Sequence, residues 1–130
     1  MSVLFDTNVL VAALTLDTDR SETAIELLDQ TDEPLVSVLS LMELRSVLSK
    51  KKRFERNRID SIEHRITSRM TVTFPDASDM MAANRLQSET LLYPMDAMIL
   101  SAADAADATL ASFDAELLEQ GAKSPKQLLD

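Results

Sequence analysis

Four acidic residues stand where carboxylate chemistry could be assembled: Asp6, Glu43, Asp96 and Asp114. Asp6 closes the apolar run Val3-Leu4-Phe5 and is followed by Thr7-Asn8. Glu43 ends Ser40-Leu41-Met42-Glu43, Asp96 opens an alanine-rich stretch, and Asp114 ends Ser112-Phe113-Asp114. The chain has no cysteine and a single histidine, His64, so disulfides, thiolate metal sites and histidine-based catalysis have almost no residues to work with. Any reaction must run on carboxylates. Oxygen-only donors favour a hard divalent ion, Mg²⁺ or Mn²⁺, over zinc. Each acid also reads as a helix cap. Ser40 and Glu43 fit the S-x-x-E capping box, and the three aspartates precede helical patterns. Convergence separates the two readings, because carboxylates gathered at one place repel, raise one another's pKa and cost stability unless a cation lies among them.

The elements that must position these acids alternate strand and helix. Val3-Leu4-Phe5 suits a buried strand, Leu35-Val36-Ser37-Val38 a second, Thr71-Val72-Thr73-Phe74 a third and Thr109-Leu110-Ala111 a fourth. A brief fifth strand is expected near Ala122-Lys123. Helical spacing covers Val9 to Leu14, Ser21 to Gln30, Leu41 to Ser49, about Asn57 to Arg69, Ala77 to Ser88, Asp96 to Ala106 and Glu116 to Gln120, with Gly121 as the last stop. Strands spaced by helices predict a mostly parallel sheet covered on both faces, and parallel crossovers bring the strand C-termini to the edge where open α/β sheets bind ligands. All four acids fall on that edge. With 130 residues, 45% of them hydrophobic, and no repeat or linker, the expectation is one domain over residues 1–130 with a single core.

Charge is unevenly spread. The net charge is −9, yet the segment from Arg45 to Arg69 holds nine bases against three acids. Lys50, Lys51, Lys52, Arg53, Arg56 and Arg58 lie at its centre and can steer a polyanion, or simply form a solvated surface spatially separate from the acids. Asp104, eight residues beyond Asp96 in one helix and so about 12 Å along it, cannot share a metal with Asp96. Asp17, Asp19, Asp29, Asp32 and Glu33 read as surface charge, His64 as exposed, and the methionines as core filler or an adaptable partner surface. No apolar run approaches the length of a membrane span, and Met1 to Leu14 lacks a basic leader and carries Asp6, so it does not read as a signal peptide. The expected setting is cytoplasmic, without membrane attachment.

Leu4-Phe5-Asp6-Thr7-Asn8-Val9-Leu10, Ser40-Leu41-Met42-Glu43-Leu44, Met95-Asp96-Ala97-Met98-Ile99 and Leu110-Ala111-Ser112-Phe113-Asp114 together resemble the four signatures of PIN-domain ribonucleases, in order and spacing. The resemblance spans essentially the whole chain, and the length is most similar to the VapC-type toxins of type II toxin–antitoxin pairs. It implies a three-layer α/β/α sandwich with a central, mostly parallel sheet of four or five strands. It implies a catalytic quartet of Asp6, Glu43, Asp96 and Asp114, with Asp6, Asp96 and Asp114 holding Mg²⁺ or Mn²⁺ and Asn8 and Ser112 supporting them by hydrogen bonds. The implied activity is metal-dependent endoribonuclease cleavage, with RNA as substrate, the Lys50–Arg58 stretch touching RNA or a partner, a small antitoxin protein as partner, and a homodimer. Two departures stand out: Ala105-Ala106-Asp107-Ala108 occupies the place where the family often carries glycine, and Ala115-Glu116-Leu117 follows Asp114 in place of a basic–aromatic sequence. Competing readings are a catalytically silent interaction module of the same fold and an aspartate-based phosphohydrolase. The latter would want a second aspartate where Asn8 stands.

Overall fold

The computed structural model describes residues 1–15 and 19–129, so Asp17 lies outside the described residues. Four parallel strands, β1 (Ser2–Phe5), β2 (Glu33–Ser37), β3 (Thr71–Thr73) and β4 (Thr109–Ala111), form one sheet in the order β3-β2-β1-β4. Side chains alternate across it with the two-residue period of a strand. Val3, Phe5, Val36 and Ala111 face one core, whereas Leu4, Leu35 and Leu110 face another. The first core is covered by α1 (Thr7–Thr15), α2 (Arg20–Gln30), α3 (Val38–Ser46) and α4 (Arg56–Arg69). The second is covered by α5 (Ala77–Glu89), α6 (Pro94–Ala105) and α7 (Ala115–Glu119), giving the expected three-layer α/β/α sandwich.

Alanine lets α6 approach closely: Ala97 and Ala103 are buried with Ile99 and Leu100, and α6 packs along α5. Gly121, at φ 107°, ends the short α7 in a left-handed conformation that only glycine adopts without strain. Asp107 sits at φ 52° in the turn between α6 and β4, so an aspartate takes the left-handed bend there and serves where a glycine would be the simpler choice.

Two expectations are corrected and one element is added. The fifth strand reduces to a single parallel bridge between Ala111 and Lys123, which closes the outer edge of β4 without continuing into a ladder. The tail carries one more helical turn, α8 (Pro125–Leu128), with a capping box made by Ser124 and Gln127. The helix expected from Leu41 to Ser49 starts at Val38 and gives way at Val47 to a π-helical turn, Val47–Lys51. Among the described residues no helix is long and apolar enough to cross a membrane.

Candidate active site

β1 delivers Asp6 to the C-terminal edge of the sheet, where it is buried, and its backbone N–H continues the β1–β4 ladder to the Ala111 carbonyl at 3.0 Å. The Thr7 backbone N–H donates to Asp6 Oδ1 at 2.8 Å, and the Ser112 hydroxyl donates to Oδ2 at 2.7 Å. Ser112 is itself fully buried and also accepts from the Asp114 N–H at 3.0 Å. Asn8 closes the set: its Nδ2 donates to Ser112 Oγ at 3.4 Å and its Oδ1 accepts from the Phe113 N–H at 3.2 Å. Asn8 and Ser112 thus tie the end of β1 to the loop after β4. The Arg20 guanidinium, 4.7 Å above the Phe113 ring, holds that loop from outside.

The cap readings divide. Asp114 is the N-cap of α7, accepting from the Glu116 and Leu117 N–H groups at 2.8 and 3.3 Å through one oxygen, Oδ1, and the other has no hydrogen-bond partner among the described residues. Asp96 is not a cap, because α6 begins at Pro94 and Tyr93 precedes it with no side-chain capping bond. Asp96 therefore lies in the first turn, where the helix dipole favours an anion. The Ser40–Glu43 capping box does not form. Ser37 caps α3, accepting from the Leu39 N–H, and Ser40 lies within the first turn with its buried hydroxyl lacking a partner among the described residues. Glu43 is thus in the second turn, on the exposed side of α3.

All four acids line one hollow of about 700 Å³, together with Thr7, Asn8 and, unexpectedly, Lys50, Lys51 and Lys52. Burial pushes the Asp96 carboxyl up to about 6, with the charges of Asp114, Asp6, Glu43 and Glu116 adding to it. Burial also raises Asp6, against the lowering effect of the Ser112 and Thr7 hydrogen bonds and with help from the charges of Glu43 and Asp114. Among the described residues none of the four acids is in an ion pair. This is the electrostatic cost that a cation would remove. No three of them are already drawn together as a ready-made metal cage among the described residues. The donor set is all oxygen, which suits a hard divalent ion.

The basic stretch is split, contrary to the expected separation from the acids. Lys50, Lys51 and Lys52 line the hollow. Arg53, Arg56 and Arg58 do not, and the Arg58 guanidinium is stacked 3.8 Å over the Phe54 ring. Glu116 is a contributor that sequence reasoning passed over. It adds the smallest of the charges acting on Asp96 and lies outside the hollow, beside Glu119 and Gln120. His64 and Asp104 are exposed, as expected, and Asp104 lines a separate groove between α5 and α6.

The PIN domain family profile matches residues 3–123. No curated protein matches the chain. Among solved structures, the chain is similar to VapBC2 of Rickettsia felis bound to a DNA fragment from its promoter, at 24% identity and TM-score 0.73, covering 92% of each chain. It is similar to VapC20 of Mycobacterium tuberculosis, a toxin that cleaves the sarcin–ricin loop, at 18% identity and TM-score 0.77, covering 92% of this chain and 95% of that one. A toxin–antitoxin complex from Klebsiella pneumoniae matches at 22% identity and TM-score 0.73, covering 95% and 97%.

Proposed function

Because the chain belongs to the PIN domain family, we propose that residues 1–130 form one such domain acting as a metal-dependent endoribonuclease, the toxin of a toxin–antitoxin pair. The observation that carries this reading is the meeting of Asp6, Glu43, Asp96 and Asp114 in one hollow without an ion-pair partner among the described residues, with Asp96 held at about 6. Charged groups in that arrangement are unfavourable by themselves and favourable around a divalent cation.

Asp6, Asp96 and Asp114 are the residues that would hold Mg²⁺ or Mn²⁺. Such an ion supplies a Lewis acid that eases deprotonation of an attacking water and offsets charge building on the phosphate. The chain's own groups do the rest. Ser112 and the Thr7 N–H fix both oxygens of Asp6, so this carboxylate would meet the ion with its orientation already set. Asp114 spends one oxygen on capping α7 and keeps the other for the hollow. Glu43, which also lines the hollow, would orient the attacking water. Lys50, Lys51, Lys52, Arg53, Arg56 and Arg58 attract the RNA backbone.

The likeness to a toxin–antitoxin complex supports a small antitoxin as partner, whose arginine in the hollow would stand in for the metal's charge. Exposed apolar side chains, among them Leu91 at 95% and Tyr93 at 71% accessible, support a homodimer. The test is cleavage of structured and unstructured RNA with Mg²⁺ or Mn²⁺ by the wild type, Asp6→Asn and Asp96→Asn. Metal-dependent cleavage lost in both variants is expected. Folded wild-type protein that leaves every RNA intact, with or without metal, favours the silent interaction module.

A further inference from the structure

We infer that Lys50 and Lys51 are positioning residues for the substrate, holding the RNA phosphates next to the one that lies at the carboxylates. This rests on the nuclease reading above. Both lysines stand on the rim of the same hollow as the four acids. A strand of RNA carries one charge per nucleotide, so the groups flanking a phosphate drawn into an acidic hollow fall at its rim, where they are repelled unless cations stand there. Three other bases of the segment are engaged elsewhere. Arg45 is bonded to Glu63 and Asp60, and Arg69 lies 3.5 Å from Asp29. Arg58 covers Phe54.

The backbone explains why lysines reach this rim. In a regular α-helix each residue turns about 100°, so the third lysine, nine residues after Glu43, would stand on the opposite side of the helix from it. Lys50, seven residues after Glu43, falls on its side even in a regular helix, and the lower rotation per residue of the π-helical turn Val47–Lys51 brings Lys51 closer to that side and turns Lys52 away from the opposite face. That turn is locked at both ends. Leu48 is fully buried, the Lys52 N–H donates to the Val47 carbonyl at 3.0 Å, and the Phe54 N–H donates to the Leu48 carbonyl at 2.9 Å. Phe54 then packs on the core under Arg58. The lysine stems are therefore launched from a fixed backbone, the condition under which positioning rather than long-range attraction acts on the rate.

Two double variants remove equal charge from the two halves of the segment: Lys50→Ala/Lys51→Ala and Arg56→Ala/Arg58→Ala. Each is compared with the wild type on short single-stranded RNA of random sequence, with Mn²⁺ for kinetics and in chelator for binding by fluorescence anisotropy. The lysine pair is expected to lower kcat/KM by about 10- to 100-fold with part of the loss in kcat, and Lys50→Arg/Lys51→Arg to recover most of it. In chelator its logarithmic salt slope should fall by about 1.4, two phosphate contacts at roughly 0.7 each. The arginine pair should lose affinity and salt dependence, with its rate loss confined to KM. Equal effects of the two pairs on kcat and KM overturn the proposal while leaving the nuclease reading intact. Absence of cleavage by folded wild type overturns both.

Discussion

Replacing Asp96 by asparagine should make the metal-free protein more stable, the reverse of what removing a buried polar group usually does. The Asp96 carboxyl rises from 3.8 to about 6, first through burial and then through Asp114, Asp6 and Glu43. A rise of that size would be worth about 3 kcal/mol if fully felt. The group is only half-buried, and solvent screening brings the expectation to roughly 1–2 kcal/mol. Because the folded state holds this proton more tightly than the unfolded chain, the stability that Asp96 contributes is complete below about 3.8 and is lost as pH rises through about 6. Asparagine has no such loss. Thermal unfolding followed by circular dichroism in chelator should therefore show Asp96→Asn melting above wild type by about 4–8 °C at pH 7.5, taking about 4 °C per kcal/mol for a domain of this size. The gap should close at pH 4.5. With millimolar Mn²⁺ at pH 7.5 the order should invert, since the wild type gains binding energy that the variant lacks. A variant that melts at or below wild type in chelator at pH 7.5, or that keeps its advantage at pH 4.5, would refute the burial of Asp96 among neighbouring carboxylates as the source of strain.

Titrating Mn²⁺ into wild type should raise its midpoint, reaching about 2.7 kcal/mol when the metal is at a hundred times its Kd, and Asp6→Asn should flatten that response in the same calorimetric series. Ser112→Ala removes a 2.7 Å bond to a buried carboxylate, so urea unfolding should show a loss of about 1–3 kcal/mol and weaker Mn²⁺ binding. Asp107→Gly relieves a left-handed backbone, and a gain of up to about 1 kcal/mol is expected by the same urea assay, with no gain from Asp107→Ala.

How much could be read beforehand differs element by element. β1, β2 and β4 were legible because apolar runs such as Val3-Leu4-Phe5 are buried on both faces, and the site's edge followed from their parallel order. Asp6 was legible for the same reason: it is the first polar residue after such a run. The start of α3 was not, because Ser37 and Ser40 are both good caps and only the length of β2 decides between them. The π-helical turn has no sequence signature in a run of Ser-Lys-Lys-Lys, so the lysines read as a basic surface separate from the acids when in fact they line the same hollow. Glu116 was missed because a short helix five residues long gives little periodicity to place its faces. Local patterns specify elements, but which charges meet depends on angles that accumulate over several turns.

The bond from Ser112 to Asp6 joins positions 106 residues apart. During synthesis β1 and β2 leave the ribosome early, whereas the partner strand β4 and the loop bearing Asp114 arrive near the end. The hollow therefore stays open on one side for most of translation, with Asp6 lacking its hydroxyl donor. Such long-range closure also slows folding, since the chain must be nearly whole before that contact stabilises anything. A nascent chain of this design carries its acids past the translation machinery well before they are gathered.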